Sequence, residues 1–174
     1  MSVISTYPYH SPCGTLLLAS YEGRICLCDW AENRRRQLTD RRICRALHAQ
    51  YVQQQSEVIA QAMAELDEYF SGMRTHFDVP LLIATGTLFQ QRVWQCLTHI
   101  PYGTTLSYAE EALRLGYAAA VRAVASANGA NPLSILVPCH RVIASDGTLG
   151  GYAGGLAAKR FLLELEGGKI RASM

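Results

Sequence analysis

The sequence has almost no lysine, little net charge and no long apolar run. Lys159 and Lys169 are its only lysines, so arginine supplies nearly all of the positive charge, and the formal net charge is +2. So small an imbalance does not by itself indicate a nucleic-acid partner or an acidic membrane surface. Arginine is the better residue for planar recognition and stacking, but a general compositional bias is the simpler explanation of its excess.

Two kinds of targeting segment are missing as well. The chain does not open with a basic stretch followed by an apolar one, as a secretion signal would, and no apolar run approaches the length of a membrane span. The sequence therefore predicts a cytoplasmic protein without a membrane partner. We expect its cysteines to stay reduced there; they are Cys13, Cys26, Cys28, Cys44, Cys96 and Cys139.

Composition and length limit the architecture. Apolar residues make up 49% and charged residues 17% of the chain, which is typical of a folded protein rather than a disordered one. A chain of 174 residues has room for one ordinary domain or two small ones. The pattern changes near residues 84–87, so we predict an N-terminal domain over 1–85 and a C-terminal domain over 86–174.

The N-terminal half has the pattern of a small α/β domain. Residues 14–20 and 24–30 are β-rich runs on either side of a hairpin signal, and residues 77–83 predict a further strand. Between them, Ser56 can begin a helix whose apolar residues recur at helical spacing until Gly72. This half carries no motif for chemistry.

Residues 33–45 are rich in arginine, with like charges next to one another along the chain. Such a run is typical of a solvated helix face or a loop. We favour that interpretation over a patch that binds nucleic acid.

The C-terminal half has a helical pattern. Residues 87–97 predict one helix and residues 107–115 another, with Ser107 and Glu110 placed for a capping box. After a glycine-containing break, a third helix is predicted over residues 118–127. Two short helices joined by such a turn are typical of a helix-turn-helix, although any antiparallel helix pair gives the same signal.

The third of these helices consists mostly of alanine, and Arg122 is its only long polar side chain. Small side chains let a backbone approach another surface closely, while one long arginine can reach into that surface. A helix packed tightly against its own protein explains the alanines equally well. The pattern leaves both possibilities open.

A candidate nucleophile follows in residues 137–142, VPCHRV, where Cys139 lies between Pro138 and His140. Pro138 should end the extended apolar run 135–137 and present Cys139 at its end. A thiol is mostly protonated at neutral pH, so a nucleophilic cysteine needs a base, and His140 is the obvious one. Neighbours in an extended chain point to opposite faces, so a direct contact requires a turn, and otherwise a water must bridge the two groups.

A group that orients this base is expected near the end of the chain. Residues 156–166 predict a helix that Gly167 and Gly168 terminate, which leaves Glu166 at its C-terminal end. The helix dipole disfavours a carboxylate at that position. A residue that breaks a local rule often serves another role, and orienting His140 is such a role.

Residues 146–155 are rich in glycine but lack the lysine that ends a phosphate-binding loop. So many glycines suggest a backbone wall that a flat ligand can approach closely. A plain series of turns explains them as well.

Together these motifs resemble a known family. The stretch NPLSILVPCHRVIASDGTLGGYAGGLAAKRFLLELEG, preceded by TLSYAE and VRAVASANGAN, is similar to the methylated-DNA–protein-cysteine methyltransferases, also called O6-alkylguanine-DNA alkyltransferases. The similarity covers residues 87–168, and PCHRV with the glycine-rich stretch after it is the most specific part. It implies an α/β fold in which a small ribonuclease-H-like domain precedes a mainly helical domain with a helix-turn-helix.

The resemblance implies DNA repair by direct, single-turnover transfer of the alkyl group from O6-alkylguanine, with O4-alkylthymine as a second candidate substrate. Cys139 would be the acceptor, and His140 and Glu166 would form its thiolate through a bridging water. Asn131 would orient His140 and tie the helix pair to the active-site segment. Tyr108 would donate to N3 of the base as guanine leaves.

Other residues implied by the resemblance contact DNA or the flipped base: Ser107, Arg122, Val142, Tyr152 and Ala153. Arg122 would fill the gap that the flipped base leaves, with its helix along the minor groove. Tyr152 would pack on the base, the Ala153 amide would face O6, and the Val142 carbonyl would accept from the guanine amino group.

The implied partner is double-stranded DNA containing alkylated guanine, bound in the minor groove by a monomer without a cofactor. No metal site is expected, because the zinc-ligand pattern of some members is not reproduced, although Cys26 and Cys28 would share a strand face.

Three other interpretations stay open on the residues alone. A non-catalytic binder of alkylated bases would keep the helix pair, but its relatives lack the cysteine that this chain has at position 139. A hydrolase that uses Cys139 and His140 would turn over repeatedly without DNA, and it leaves Arg122 unexplained. A purely structural cysteine is the ordinary role of a buried thiol.

Overall fold

The computed structural model describes residues 2–167. The chain forms two compact units, and the division falls between Thr85 and Gly86. The N-terminal unit is built on a sheet and the C-terminal unit is mainly helical, as the sequence predicts.

A four-stranded sheet forms the frame of the N-terminal unit. Its strands are β1 (Ser2–Ser11), β2 (Gly14–Tyr21), β3 (Arg24–Trp30) and β4 (Ala49–Gln53), in the order β3-β2-β1-β4. The first three strands are antiparallel neighbours, whereas β4 runs parallel to β1. The parallel pairing ends at Thr6, so Pro8 has only one neighbouring strand and its missing N–H breaks no ladder.

Two helices complete this unit: α1 (Arg36–Leu47) and α2 (Glu57–Phe70). Only Ile43 of α1 is buried, which confirms that the arginine-rich segment is a largely solvated helix face. Ile43 joins a core cluster that includes Ile4, Ala19 and Leu27. The buried face of α2 has the helical spacing that its sequence predicts.

The strand predicted over residues 77–83 is wrong. That segment forms only an isolated bridge between Leu81 and Ile25, with single backbone hydrogen bonds on either side. Strands β1 and β4 were not predicted. Both contain many polar residues, and β4 depends on parallel pairing with a strand distant in sequence, which local patterns do not reveal.

The C-terminal unit contains helices α3 (Leu88–Leu97), α4 (Tyr108–Leu115), α5 (Val121–Gly129) and α6 (Leu156–Leu165). Two short parallel strands, β5 (Leu106–Ser107) and β6 (Val142–Ile143), pair between them. The capping boxes of α3 and α4 are both formed, at Thr87 with Gln90 and at Ser107 with Glu110. Such caps satisfy backbone N–H groups that a helix start leaves without partners.

Helices α4 and α5 are the predicted helix pair, but α5 begins later than expected. Gly116 ends α4 in the left-handed conformation, and the chain then turns until Ala120. The Ala120 N–H donates to the Tyr117 carbonyl within this turn. Tyr117 is held outside the helix by Phe89 and by Arg92, whose Nη1 lies 2.6 Å from the tyrosine hydroxyl oxygen.

No helix within residues 2–167 is long and apolar enough to cross a membrane.

The cap of α2 gives a test of the N-terminal unit. Ser56 accepts a hydrogen bond from the Ile59 N–H, and its hydroxyl oxygen lies 2.8 Å from that of the buried Ser20. We expect Ser56→Ala to lower the free energy of unfolding by about 1–2 kcal/mol, as cap removal commonly does. Denaturant unfolding measures this loss of stability, and hydrogen exchange of the α2 amides shows whether it arises in that helix. Ser71→Ala, at the exposed other end of the helix, is the control, and equal losses would rule out the capping contribution.

Candidate active site

A strained turn places Cys139. Ile135 has a φ of 70°, which is rare for a β-branched residue, and the Leu136 N–H closes a tight turn on the Ser134 carbonyl. Residues 135–137 are therefore not the extended run that the sequence predicts. A second tight turn is centred on Pro138, at φ −83° and ψ 66°, where the Cys139 N–H donates to the Val137 carbonyl.

This second turn explains the proline before the cysteine. The ring of Pro138 fixes φ near the value that an inverse γ-turn requires. The chain then enters a short 3-10 turn, Cys139–Arg141, in which all three side chains are buried. Proline therefore does not hold an extended chain here; it reverses the chain so that Cys139 starts the 3-10 turn.

Glu166 joins this turn to the end of α6. Its Oε2 lies 2.8 Å from His140 Nε2, and its Oε1 accepts from Arg141 Nε at 2.8 Å. Arg141 also donates to Glu166 Oε2 and, through Nη1, to the Ile100 carbonyl. The His140–Glu166 contact is the one that the sequence predicts, and the arginine beside it was not foreseen.

The electrostatics of this cluster fix its protonation. Burial opposes the charge of Glu166, but the hydrogen bonds and charges of His140 and Arg141 outweigh it and lower the pKa of Glu166 to about 2. Burial lowers the pKa of His140, and Arg141 adds to this effect, while Glu166 acts in the opposite direction. At neutral pH the imidazole is neutral, so its Nε2–H donates to Glu166 and leaves Nδ1 without a proton.

Asn131 supports the strained turn. Its Nδ2 donates to the Val137 carbonyl at 2.8 Å, and its Oδ1 accepts from the Leu133 N–H at 2.9 Å. The sequence-based expectation that Asn131 orients His140 does not match these contacts. The other half of that expectation, that Asn131 ties the helix pair to the active-site segment, does match: its side chain links the end of α5 to the carbonyl that also receives the Cys139 N–H.

Tyr108, the first residue of α4, meets the glycine-rich stretch. Its hydroxyl lies 3.5 Å from the Gly151 carbonyl and 3.4 Å from Lys159 Nζ. Burial raises the pKa of Tyr108 to about 12, and negative charge at Cys139 acts in the same direction. A Cβ on Gly150 would lie 2.9 Å from the tyrosine ring and hydroxyl, so glycine is required for this close approach.

Lys159 is the main residue that the sequence analysis missed. It is fully buried in α6, where its ammonium donates to the carbonyls of Val142, Leu149 and Gly151. Burial lowers the pKa of Lys159 to about 8, whereas a thiolate at Cys139 would raise it. The signal in the sequence was the rarity of lysine, because one of only two stands on the buried face of a helix.

The remaining predicted residues occupy different positions. Val142 is buried, and its carbonyl already accepts from Lys159 at 2.6 Å. Tyr152 and Ala153 lie half-buried in the turn before α6. Ser107 caps α4 by accepting from the Glu110 N–H, and Arg122 is exposed in the first turn of α5.

No cluster of three or more His, Cys, Asp or Glu side chains within residues 2–167 is placed to hold a metal ion.

Comparison with known proteins assigns both halves of the chain. The DNA-binding domain model of 6-O-methylguanine DNA methyltransferases matches residues 88–168, and the ribonuclease-like domain model matches residues 5–83. A methylated-DNA–protein-cysteine methyltransferase of Methanosarcina barkeri is 41% identical over 161 residues, which cover 92% of this chain and 96% of the relative. The chain belongs to this methyltransferase family. The family resemblance seen in the sequence is therefore confirmed.

Further members of the family agree with this assignment. A Mycobacterium tuberculosis methylated-DNA–protein-cysteine methyltransferase is 53% identical over 113 residues, covering 65% of this chain and 68% of the relative. The crystal structure of M. tuberculosis O6-methylguanine methyltransferase superimposes with a TM-score of 0.78 at 41% identity, covering 99% and 97% of the two chains. M. tuberculosis OGT in complex with DNA gives 0.79 at 41% identity, covering 98% and 96%.

The charge of Glu166 gives a test of the site. Its folded pKa lies below the ordinary value of 4.5, so its stabilising contribution is present above pH 4.5 and is lost as pH falls towards 2. We expect Glu166→Gln to lower the free energy of unfolding at pH 7 by about 3–5 kcal/mol, because Arg141 loses its buried counter-charge.

Denaturant unfolding at several pH values measures this difference, which should shrink steadily below pH 4.5. Glu164→Gln removes the same charge from the exposed face of α6 and should change stability by less than about 0.5 kcal/mol. A loss at Glu166 that does not vary with pH would contradict the assignment of a charged carboxylate.

Proposed function

We propose that this protein repairs DNA by transferring the alkyl group of O6-alkylguanine to the sulfur of Cys139, once per molecule. The observation that carries the proposal is the placement of Cys139 in a buried 3-10 turn beside a neutral histidine that a buried carboxylate orients. The same unit contains the helix pair α4 and α5. Its family relatives are named for this activity, and one solved relative is bound to DNA.

His140 is suited to act as the base. Its Nε2 is committed to Glu166, and its Nδ1 is buried without a hydrogen-bond partner among the described residues. An unprotonated Nδ1 can accept a proton from Cys139, directly or through one water. The negative charge of Glu166 stabilises the imidazolium that then forms, so the thiolate is generated without solvent taking the proton.

The transfer itself is a displacement at the alkyl carbon. A bond forms between Cys139 Sγ and that carbon as the bond from the carbon to O6 breaks, and its electron pair leaves with guanine. Tyr108 donates its phenolic proton to N3 of the base, which neutralises the leaving group. Tyr108 is protonated at neutral pH, and Lys159 faces its hydroxyl at 3.4 Å, where it offsets charge left on the oxygen.

The reaction consumes the protein. The alkylated sulfur is a thioether, from which a thiolate is a poor leaving group, so the alkyl group stays on Cys139. The sulfur no longer has a proton for His140 to remove. One protein molecule therefore repairs one lesion. The Glu166–His140 pair serves a single deprotonation rather than a cycle.

Recognition of duplex DNA requires the damaged base to leave the stack. Arg122 is exposed in the first turn of α5 and is the only long polar side chain of that helix, so its guanidinium can enter the gap left in the duplex. Binding in the minor groove reads shape more than sequence, which suits a repair protein. We expect a monomer that acts in the cytoplasm, where DNA is accessible and thiols stay reduced.

Each alternative function leaves some of the observed site features without a role. A protein that only recognises alkylated bases has no need for Cys139 beside an oriented histidine. A thiol hydrolase would use that pair but not the exposed Arg122 or the capped helix pair.

Mass spectrometry tests the chemistry. Equimolar protein is mixed with a duplex that contains one O6-methylguanine. We expect a gain of one methylene on the peptide that contains Cys139, saturating at one per protein molecule. Cys139→Ala should show no gain while it still binds the duplex, because the thiol is the acceptor and not a DNA contact.

Cys96→Ala is the matched control, since Cys96 lies in the same unit and its loss should leave the transfer unchanged. Binding without a mass change in the wild-type protein would support a recognition protein. Repeated turnover of a small ester or amide without DNA would support the hydrolase.

Base flipping gives a second prediction. Arg122→Ala should slow repair of the duplex by about tenfold or more, because extrusion of a base costs a few kcal/mol that the arginine helps to offset. Its reaction with a free O6-alkylguanine base should stay within about twofold of the wild type, since no duplex is opened. Rates of alkylation at Cys139 measure both reactions.

Arg42→Ala removes one exposed arginine from α1 and controls for the loss of positive charge. Equal losses of Arg122→Ala on duplex and free base would remove the flipping role.

A further inference from the structure

Three glutamates are buried in the described structure, and they differ in what surrounds their carboxyl groups. Glu65 accepts from Gln61 and from the backbone N–H groups of Asp78 and Val79. Glu166 accepts from His140 and Arg141. Glu111, on α4, has a fully buried side chain and receives only one hydrogen bond, from Asn128 Nδ2 on α5 at 2.7 Å.

Glu111 and Asn128 each have one further polar side-chain atom that their hydrogen bond does not use. Glu111 Oε2 and Asn128 Oδ1 are both buried and have no hydrogen-bond partner among residues 2–167. Both are acceptors when the carboxyl group is ionised, so they cannot bond to each other. A single proton on Oε2 turns one acceptor into a donor and satisfies both atoms.

The surroundings of Glu111 do not favour a charge. No Lys, Arg or His side chain of the described residues forms an ion pair with it. The titratable groups near it are Cys96 on α3 and Tyr108 on α4, whose charged forms would be negative. The positive charge of Arg114 acts on Cys96. From α5, the group that contacts Glu111 is the neutral amide of Asn128.

We propose that Glu111 is protonated in the folded protein and forms a reciprocal pair of hydrogen bonds with Asn128, which positions α4 against α5. The Asn128 amide donates to Glu111 Oε1, and the Glu111 hydroxyl donates to Asn128 Oδ1. This arrangement satisfies two buried polar atoms that an ionised pair leaves unpaired, and a buried polar atom without a partner is destabilising.

The pair holds the two helices that carry the DNA-facing residues, so its role rests on the proposed function. Glu111 lies one turn after Tyr108 on α4. Asn128 lies near the end of the helix that carries Arg122, and three residues before Asn131, which holds the turn to Cys139. Glu111 and Asn128 are therefore positioning residues that act through their neighbours.

The pH dependence has a definite sign. Burial raises the pKa of Glu111 to about 7, while the hydrogen bond from Asn128 acts in the opposite direction. Between the ordinary value of 4.5 and about 7, the unfolded chain loses this proton and the folded protein keeps it. Stability from this group is therefore complete below pH 4.5, falls as pH rises, and levels off above pH 7.

The direct test is a carbon-13 NMR titration of the glutamate side-chain carboxyl groups in the full chain, with Glu111 assigned through its backbone connectivity. A midpoint near 7 supports the proposal. A midpoint at or below 4.5 overturns it, whatever the protein does to DNA. This measurement needs neither a variant nor the repair activity, so it remains decisive if the proposed function fails.

Glu111→Gln tests the positioning role, because a glutamine amide makes the same two hydrogen bonds at every pH. The ratio of unfolding equilibrium constants, wild type over variant, should rise about tenfold per pH unit between 4.5 and 7. Duplex affinity and repair rate of the wild type should also fall relative to the variant between pH 6 and 8.5. Shared titrating groups such as Lys159 cancel in these ratios.

Glu164→Gln makes the same chemical change at an exposed site and should give ratios that do not vary over this range. Flat stability ratios for Glu111→Gln above pH 5 would overturn the protonated pair. If stability varies as expected but duplex repair does not, the positioning role is wrong.

Discussion

The C-terminal unit depends on one buried negative charge, that of Glu166. Its two oxygens bind Arg141 and His140, so a single carboxylate attaches the end of α6 to the turn that contains Cys139. The helix dipole disfavours a carboxylate at this helix end, and burial disfavours it further. The Arg141 guanidinium compensates with a two-point contact, and its remaining Nη1 anchors the loop after α3 through the Ile100 carbonyl. Removing Glu166 would leave the Arg141 guanidinium buried without its counter-charge.

The strained backbone before Cys139 makes sense within that constraint. The positive φ of Ile135 is unfavourable for a β-branched residue and persists only because its surroundings fix it. Asn131 and the Cys139 N–H both donate to the Val137 carbonyl and hold the reversal closed. Cys139 is thereby fixed as the residue before a histidine whose ring Glu166 has already oriented. In the proposed transfer, this preorganisation lowers the reorganisation needed at the moment of reaction.

Sequence analysis succeeds where the interactions are local. The caps at Thr87, Ser107 and Ser56 each depend on residues within three positions, and all of them form. The contact between His140 and Glu166 was also foreseen, because a glutamate at a helix end conflicts with the local electrostatics.

The errors come from non-local pairing. Residues 77–83 have the composition of a strand but find no continuous partner, whereas the polar β4 becomes a strand because β1 lies beside it. The run before Pro138 is apolar because it is buried, and burial does not decide whether the backbone extends or turns. The family signature in the sequence located the site. The contacts of Arg141, which is part of that signature, and of Lys159, which follows it in the chain, could be seen only in the folded structure.

Three buried ionisable groups of this unit reach charge balance in different ways. Glu166 keeps its charge because a cation faces it directly. Lys159 keeps its charge without a carboxylate, because backbone carbonyls surround its ammonium and the Cys139 thiolate would complete the pair. Glu111 has neither a cation nor several donors, so the proton itself is its least costly partner.

The positive charge of Lys159 and the neutrality of Glu111 both reduce the negative charge around Tyr108. In the proposed transfer the Tyr108 phenol gives its proton to the departing base, and each further negative charge nearby would make it hold that proton more tightly.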